Sequence, residues 1–268
     1  MGPRTSGWNY TSFSAARGPR PAAGGPFRNG AFPSCYASGI SRSDPISDRG
    51  SAVEHTIFLL SPGHLGGARA DLIMGATAEL PLARALRSTG GARLGEVFSF
   101  VSSLYFRGKV AYAAAFARPP DDLARALVIS AGEGLVAVDE AVTLGRLRAW
   151  RQVEIDARNE AFTRPLVEHA EALERAYGAT TRFVLLGSVA SDKYVRPLTA
   201  VFGDHLLFPL DFVGRGDMSR GALMLRAARE GRELPYGPIE GAARRGVRAP
   251  SIAAPRARAR PRRGAGGR

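Results

Sequence analysis

The chain has 268 residues, 45% of them hydrophobic, a single cysteine and a formal net charge of +13. That length and composition suit one good-sized core, and a lone Cys35 excludes an intrachain disulfide and a cysteine metal site. No apolar run approaches the roughly 20 residues a bilayer crossing takes, so no membrane partner is expected.

The charge is unevenly spread. Residues 54–240 carry 22 basic and 22 acidic side chains, residues 1–53 carry six and two, and residues 241–268 carry nine arginines and no acid. A neutral middle between basic ends suits a folded domain whose Arg-rich tails meet nucleic acid. Codon bias is the plainer account, since arginine outnumbers lysine 35 to 2. The absence of paired cysteines fits a reducing, cytoplasmic setting.

Residues 1–53, rich in Gly, Pro, Ser and Arg with no sustained period, read as disordered. With no acid before Asp44 they have the make-up of a transit peptide, yet a translated leader upstream of a start near Val53 explains them more simply. Thr56-Ile57-Phe58-Leu59-Leu60 is a short apolar run stopped by Ser61-Pro62-Gly63, hence a buried strand. Residues 79–88 form a short helix with Leu82, Ala85 and Leu86 on one face and Pro81 in its first turn. Residues 103–117 form another, with Phe106, Val110, Ala113 and Ala117 at helical spacing and Pro119-Pro120 stopping it. Ala126–Ile129 is a second strand. Thr143 caps a helix bearing Leu144, Leu147 and Trp150, and Thr163 caps a longer one with Pro165 in its first turn. Phe183–Leu186 and Leu206–Phe208 are further strands, and Met218, Ala222, Leu225 and Ala228 stripe a last helix that Asp217 caps. Residues 241–268 read as a disordered tail of Arg, Ala, Pro and Gly.

Strands alternating with helices predict an α/β layered sandwich in one domain, 54–240, around a mainly parallel central sheet of about four or more strands. Its ligand site is expected outside the carboxyl ends of those strands. Ser61-Pro62-Gly63-His64-Leu65-Gly66-Gly67 follows the first strand. It is either a weak phosphate cradle or an ordinary tight turn, with His64 the one histidine facing the site. It matches neither the dinucleotide fingerprint nor the lysine-ending phosphate loop, and no two histidines have metal-ligand spacing, so neither cofactor nor metal is expected.

Ser130-Ala131-Gly132-Glu133-Gly134 follows the second strand. Ser130 closes the strand, and Glu133 is the proton-acceptor candidate if partial burial raises its affinity for a proton; a solvated turn residue is the alternative. Gly187-Ser188 through Lys193-Tyr194 follows the third strand. Lys193 would hold a phosphate and Tyr194 stack a base, or Lys193 is solvated and Tyr194 packs under a helix. After the fourth strand come Arg215 and Arg220, for which phosphate is the natural partner.

Several of these pieces, in this order, resemble an uncharacterised bacterial and phage α/β domain family. Phe106-Arg107-Gly108-Lys109-Val110-Ala111-Tyr112-Ala113 is similar to its Phe-Arg-Lys…Tyr-Ala helix. Ser130 to Val136 is similar to its Ser-Ala-x-Tyr-Gly-Leu step, Gly187 to Tyr194 to its Gly-x-Lys-Tyr element, and Gly214 to Arg220 to its stretch before the last helix. Glu133 stands where that family has an aromatic residue, and Val138 where it has a proline. Leu59-Leu60-Ser61-Pro62 and the Ser130 step resemble, more distantly, the YaaA family of peroxide-stress proteins, which is linked to DNA binding and to limiting oxidative damage. The resemblance supports the fold and adds Arg107 as a phosphate contact and Tyr112 as a ring contact.

The expectation is therefore a protein that binds a nucleotide, or a nucleic-acid base or end, at its strand ends. The rivals are a hydrolase or transferase of the nucleobase–ribose bond using Glu133, and a non-catalytic partner that binds through its tails.

Overall fold

The computed structural model of the chain describes residues 54–244 and 246. Among them the apolar runs form a six-stranded sheet in the order β4-β3-β1-β6-β7-β8. Its centre is β3 (Ala126–Ile129), β1 (His55–Leu60), β6 (Thr181–Leu186) and β7 (Leu206–Pro209), all parallel. Two short antiparallel strands, β4 (Leu135–Ala137) and β8 (Tyr236–Pro238), close the edges. A separate pair, β2 (Ala92–Arg93) and β5 (Ala141–Val142), makes a small antiparallel ribbon. The protein is thus mixed α/β with a mostly parallel sheet.

The strands lack polar alternation because both faces of the sheet are covered. Phe58 and Leu60 join one core with Val128, Val184 and Leu186; Ile57 and Leu59 join the other with Leu127, Phe183 and Leu185. On the first face lie α1 (Ala68–Met74), α2 (Pro81–Arg87), α3 (Leu94–Phe116), α4 (Leu144–Arg151) and α7 (Asp217–Glu230). On the second lie α5 (Glu160–Tyr177) and α6 (Asp192–Phe202). Each fully buried Leu, Ile or Phe adds about 1.5–3 kcal/mol by leaving water.

Four local expectations change. The helix expected over 103–117 begins at Leu94, because a kink at Ser103 joins two helical stretches. Asn159, not Thr163, caps α5: its side chain accepts from the Ala161 N–H at 3.1 Å, while the Thr163 hydroxyl donates back to the Asn159 carbonyl. Pro165 therefore sits inside that helix rather than in its first turn. Asp217 does not cap α7; Gly216 occupies that position, and Asp217 is the first helical residue, 3.5 Å from Arg220. Thr143 does cap α4, accepting from Arg146 N–H at 3.4 Å.

The segments expected to be disordered fall mostly outside the described residues: all of 1–53, and 245 and 247–268. Within the second, Arg244 pairs with Asp192 at 2.5 Å. No described helix is long and apolar enough to cross a membrane.

This topology makes the site. The chain leaves β1 towards the first core and leaves β6, its neighbour, towards the second. Two adjacent strands whose continuations diverge leave a crevice between their carboxyl ends.

Candidate functional site

That crevice is a cleft of about 640 Å3. One rim is Ser61–Gly66, the loop after β1; another is Ser188, Lys193 and Tyr194, after β6. The residues after α4, Gln152–Ile155, run along a third side. Phe98, Ser102 and Tyr105 of α3 form the wall, and Asp217 reaches in from the start of α7.

Ser61 lies at the bottom. Its N–H donates to the Leu186 carbonyl at 3.3 Å, extending the β1–β6 ladder by one residue, so Gly187 comes to lie beside it. A Cβ at Gly187 would stand 3.1 Å from Ser61 Cβ and 3.2 Å from Ser61 Oγ. The glycine thus leaves just enough room for the serine side chain.

Beneath Ser61 is Lys109, with no exposed surface. Its Nζ lies 2.8 Å from the Ser61 carbonyl oxygen and 2.7 Å from Ser61 Oγ, and 3.9 Å from the centre of the Tyr105 ring. Burial pushes this amine down to about 7, against the pull of Asp217; Arg220 and Lys193 act in the same direction as burial. Burial likewise pushes the Tyr105 hydroxyl up; it is enclosed beside Arg220 without a hydrogen bond of normal geometry.

Two features of α3 bring these groups together. Ser103 has φ 49° and ψ −121°, a left-handed conformation that costs a side-chain-bearing residue about 1–3 kcal/mol. The bend it makes lets Phe98 and Ser102 face the cleft on one side of the kink and Tyr105 on the other. Ser103→Gly is expected to raise the unfolding free energy by about 1 kcal/mol in urea denaturation, since glycine adopts this conformation freely. The second feature is the close crossing of α3 and α7 at Gly108 and Gly221, which sets Tyr105 and Lys109 against Arg220 and Asp217.

Of the residues singled out from sequence, Ser61, His64, Ser188, Lys193 and Tyr194 line the cleft, Gly187 packs on Ser61, and Arg220 stands behind Tyr105. Tyr194 is 4% exposed, its ring packed edge-on to Phe162 with Lys193 Nζ 5.0 Å from its centre.

The others are elsewhere. Arg107 is exposed on α3, because two residues along a helix turn a side chain about 200° away from Tyr105 and Lys109. Tyr112 is in the core: its hydroxyl meets Tyr236 at 2.6 Å and accepts from the Leu234 N–H, and its ring packs edge-on to Phe58. Seven residues beyond Tyr105 carries it about 10 Å along the helix axis, away from the strand ends and over the middle of β1. Arg215 donates to the Asp211 carbonyl at 2.9 Å and to Ser219 Oγ at 3.3 Å, away from the cleft lining. Ser130 is buried, its Oγ accepting from the Glu133 N–H at 2.8 Å.

Glu133 is engaged on both oxygens. Oε2 accepts from Arg146 at 2.6 and 2.8 Å, and Oε1 accepts from the Trp150 indole N–H at 2.9 Å; Arg146 also pairs with Glu140 at 2.5 Å. This clamps the turn after β3 onto α4, and the expected role of Glu133 as proton acceptor gives way to a positional one. Glu133→Ala is expected to cost about 1 kcal/mol of stability, measured by denaturation, because the pair is half-exposed and Arg146 keeps Glu140.

Sequence reading missed Lys109, Tyr105 and Asp217 as site residues. Lys109 stands three residues after Phe106 and four before Ala113, on the apolar stripe of the helix, and that spacing is the signal that could have marked it as inward-facing.

Compared with known proteins, the chain matches no family model, no curated protein and no solved structure.

Proposed function

We propose that the cleft at the carboxyl ends of β1 and β6 binds a small molecule with a flat ring and an anionic group, a nucleotide or a nucleobase-bearing end being the class that suits it. The observation that carries this reading is the pairing of an apolar wall with a cation inside one cleft. Phe98, Tyr105, Val153 and Ile155 offer a surface for a ring, and the Lys193 ammonium lies on the β6 rim. Ser188 and Ser61 add hydroxyls between them. Of Glu133, Lys193 and Arg215, only Lys193 lines this cleft. Lys193 is the cation this reading assigns to the phosphate; Arg151, which also lines the cleft, pairs with Asp71 at 2.7 Å. A layered sandwich, a relation to the peroxide-stress family and a cytoplasmic setting belong to the same proposal.

A thermal-shift panel of nucleosides and nucleoside mono-, di- and triphosphates tests this reading. A ligand at a hundredfold excess over its Kd should stabilise the protein by about 2.7 kcal/mol, a shift of about 5–10 °C. Lys193→Ala should abolish the shift from phosphorylated members, while Arg215→Ala should keep it. No shift of the wild-type protein with any nucleotide or short oligonucleotide would end the reading.

A further inference from the structure

The floor of the cleft holds a serine–lysine pair, Ser61 and Lys109. Lys109 is sealed from solvent, so it cannot itself touch a bound molecule. Its access to the cleft runs through Ser61, whose hydroxyl is 2.7 Å away. The geometry is specific. The Ser61 carbonyl only accepts, which orients one Lys109 N–H towards it at 2.8 Å. A neutral amine then has a lone pair to accept the proton of Ser61 Oγ–H.

Groups from each neighbouring element bear on the amine. Tyr105 and Phe106 come from its own helix, at 3.9 and 5.4 Å from ring centre to Nζ, Lys193 from α6, and Asp217 and Arg220 from α7. Burial outweighs the one acid among them and brings the amine to about 7, so both its neutral and charged forms are populated near neutrality.

We propose that Ser61 is a nucleophile and Lys109 its general base, in acyl transfer from a carboxylic ester bound in the cleft to water. Ser61 Oγ bonds to the ester carbonyl carbon as its proton passes to Lys109 Nζ. The ester C–O bond then breaks, and the departing alkoxide takes a proton from a water in the cleft, leaving as the alcohol and generating hydroxide. That hydroxide attacks the acyl-Ser61 carbonyl while Lys109 keeps the proton it took from Oγ. The bond from Ser61 Oγ to the acyl carbon breaks, the proton returns to Oγ, and the carboxylic acid leaves. The sum is ester plus water giving acid plus alcohol, with the serine and lysine restored.

A carbonyl is favoured over a phosphoryl centre on electrostatic grounds. A phosphate dianion at the floor would hold Lys109 as ammonium and remove the base, whereas a neutral carbonyl leaves it free to accept. The inference uses the cleft of the binding proposal but not its ligand class. An anionic group on the leaving alcohol would meet Lys193, as the phosphate does in that proposal.

The full chain treated with an alkyl fluorophosphonate, a neutral serine-reactive reagent, should gain one adduct, located on Ser61 by peptide mass spectrometry. It should also hydrolyse p-nitrophenyl acetate, with a rate that rises about tenfold per pH unit below 7 and levels above it. Both activities should fall at least about a hundredfold in Lys109→Met and stay low in Lys109→Arg, whose guanidinium does not give up its proton. Ser61→Ala, which deletes a single oxygen, should abolish the adduct and the ester hydrolysis. The nucleotide-dependent thermal shift of the wild-type protein reports on the binding proposal separately. No adduct on Ser61 in the wild-type protein, Ser61 labelling that survives in Lys109→Met, or ester hydrolysis unchanged in Ser61→Ala overturns the inference.

Discussion

Gly221→Val should lower the unfolding free energy by about 3 kcal/mol or more. A Cβ at Gly221 would stand 2.7 Å from the Leu104 carbonyl oxygen and 2.8 Å from Tyr105 Cα; one at Gly108 would stand 2.7 Å from the Gly221 carbonyl oxygen. These are backbone atoms, which cannot rotate aside as a side chain would, so a branched residue forces α3 and α7 apart. The crossing is also what holds Tyr105 and Lys109 of one helix against Asp217 and Arg220 of the other, so separation opens the cleft floor as well as the core. Gly145→Ala serves as the control: a Cβ there meets only Thr143 Oγ1 at 4.0 Å, and alanine in a helix should stabilise by about 0.5–1 kcal/mol. Urea denaturation of the two variants reads both effects. A Gly221→Val protein with a wild-type midpoint would show that the helices do not cross this closely.

Lys109→Met should remove a pH dependence of stability. The folded amine sits at about 7 against an ordinary value of 10.5, so between those limits the unfolded chain binds one proton that the folded protein does not. Stability contributed by the neutral lysine is full above about 10.5 and falls as pH drops towards 7, by up to about 1.4 kcal/mol per pH unit for one proton, and then levels. The methionine variant lacks this slope, so its stability relative to wild type rises as pH falls from about 10 to 7. Against that gain stand the lost hydrogen bonds to Ser61, each about 0.5–1.5 kcal/mol or more when charged. The slope, not the offset at one pH, isolates the amine. Parallel stability profiles for the two proteins from pH 7 to 10 would mean that Lys109 is charged in the fold throughout.

Much of the fold was legible in local pattern. Thr56–Leu60, Ala126–Ile129, Phe183–Leu186 and Leu206–Phe208 each lie within an observed strand, because a continuous apolar, β-prone run bounded by Gly, Pro or Ser fits a sheet covered on both faces. The helix α6 was less legible. Pro197 sits inside it and reads as a breaker, although Ser191 and Asp192 mark a plausible helix start. The short helix α1 and the edge strands β4 and β8 span seven residues or fewer, too short for a period to show, and they are held by neighbours.

The position of the cleft was legible in the sequence; the groups that line it were not. Strand ends in an open parallel sheet are where a crevice forms, and the loops after β1 and β6 do line it. Which polar groups meet there depends on helix rotation and crossing. Arg107 and Lys109 are two residues apart on α3, yet one is exposed and the other fully buried. Glu133 was the most conspicuous carboxylate, flanked by glycines at a strand end, and α4 brings Arg146 and Trp150 to occupy it.

By itself, then, the sequence determined the four central strands and their order along the chain, because these depend on residues adjacent in the chain. Only the tertiary structure decided that Ser61 would meet Lys109, 48 residues away. That contact needs the bend at Ser103, the close crossing at Gly108 and Gly221, and the β1–β6 pairing that sets Gly187 beside Ser61. Each is a packing relation between distant segments, and none leaves a periodic signal in the residues that make it.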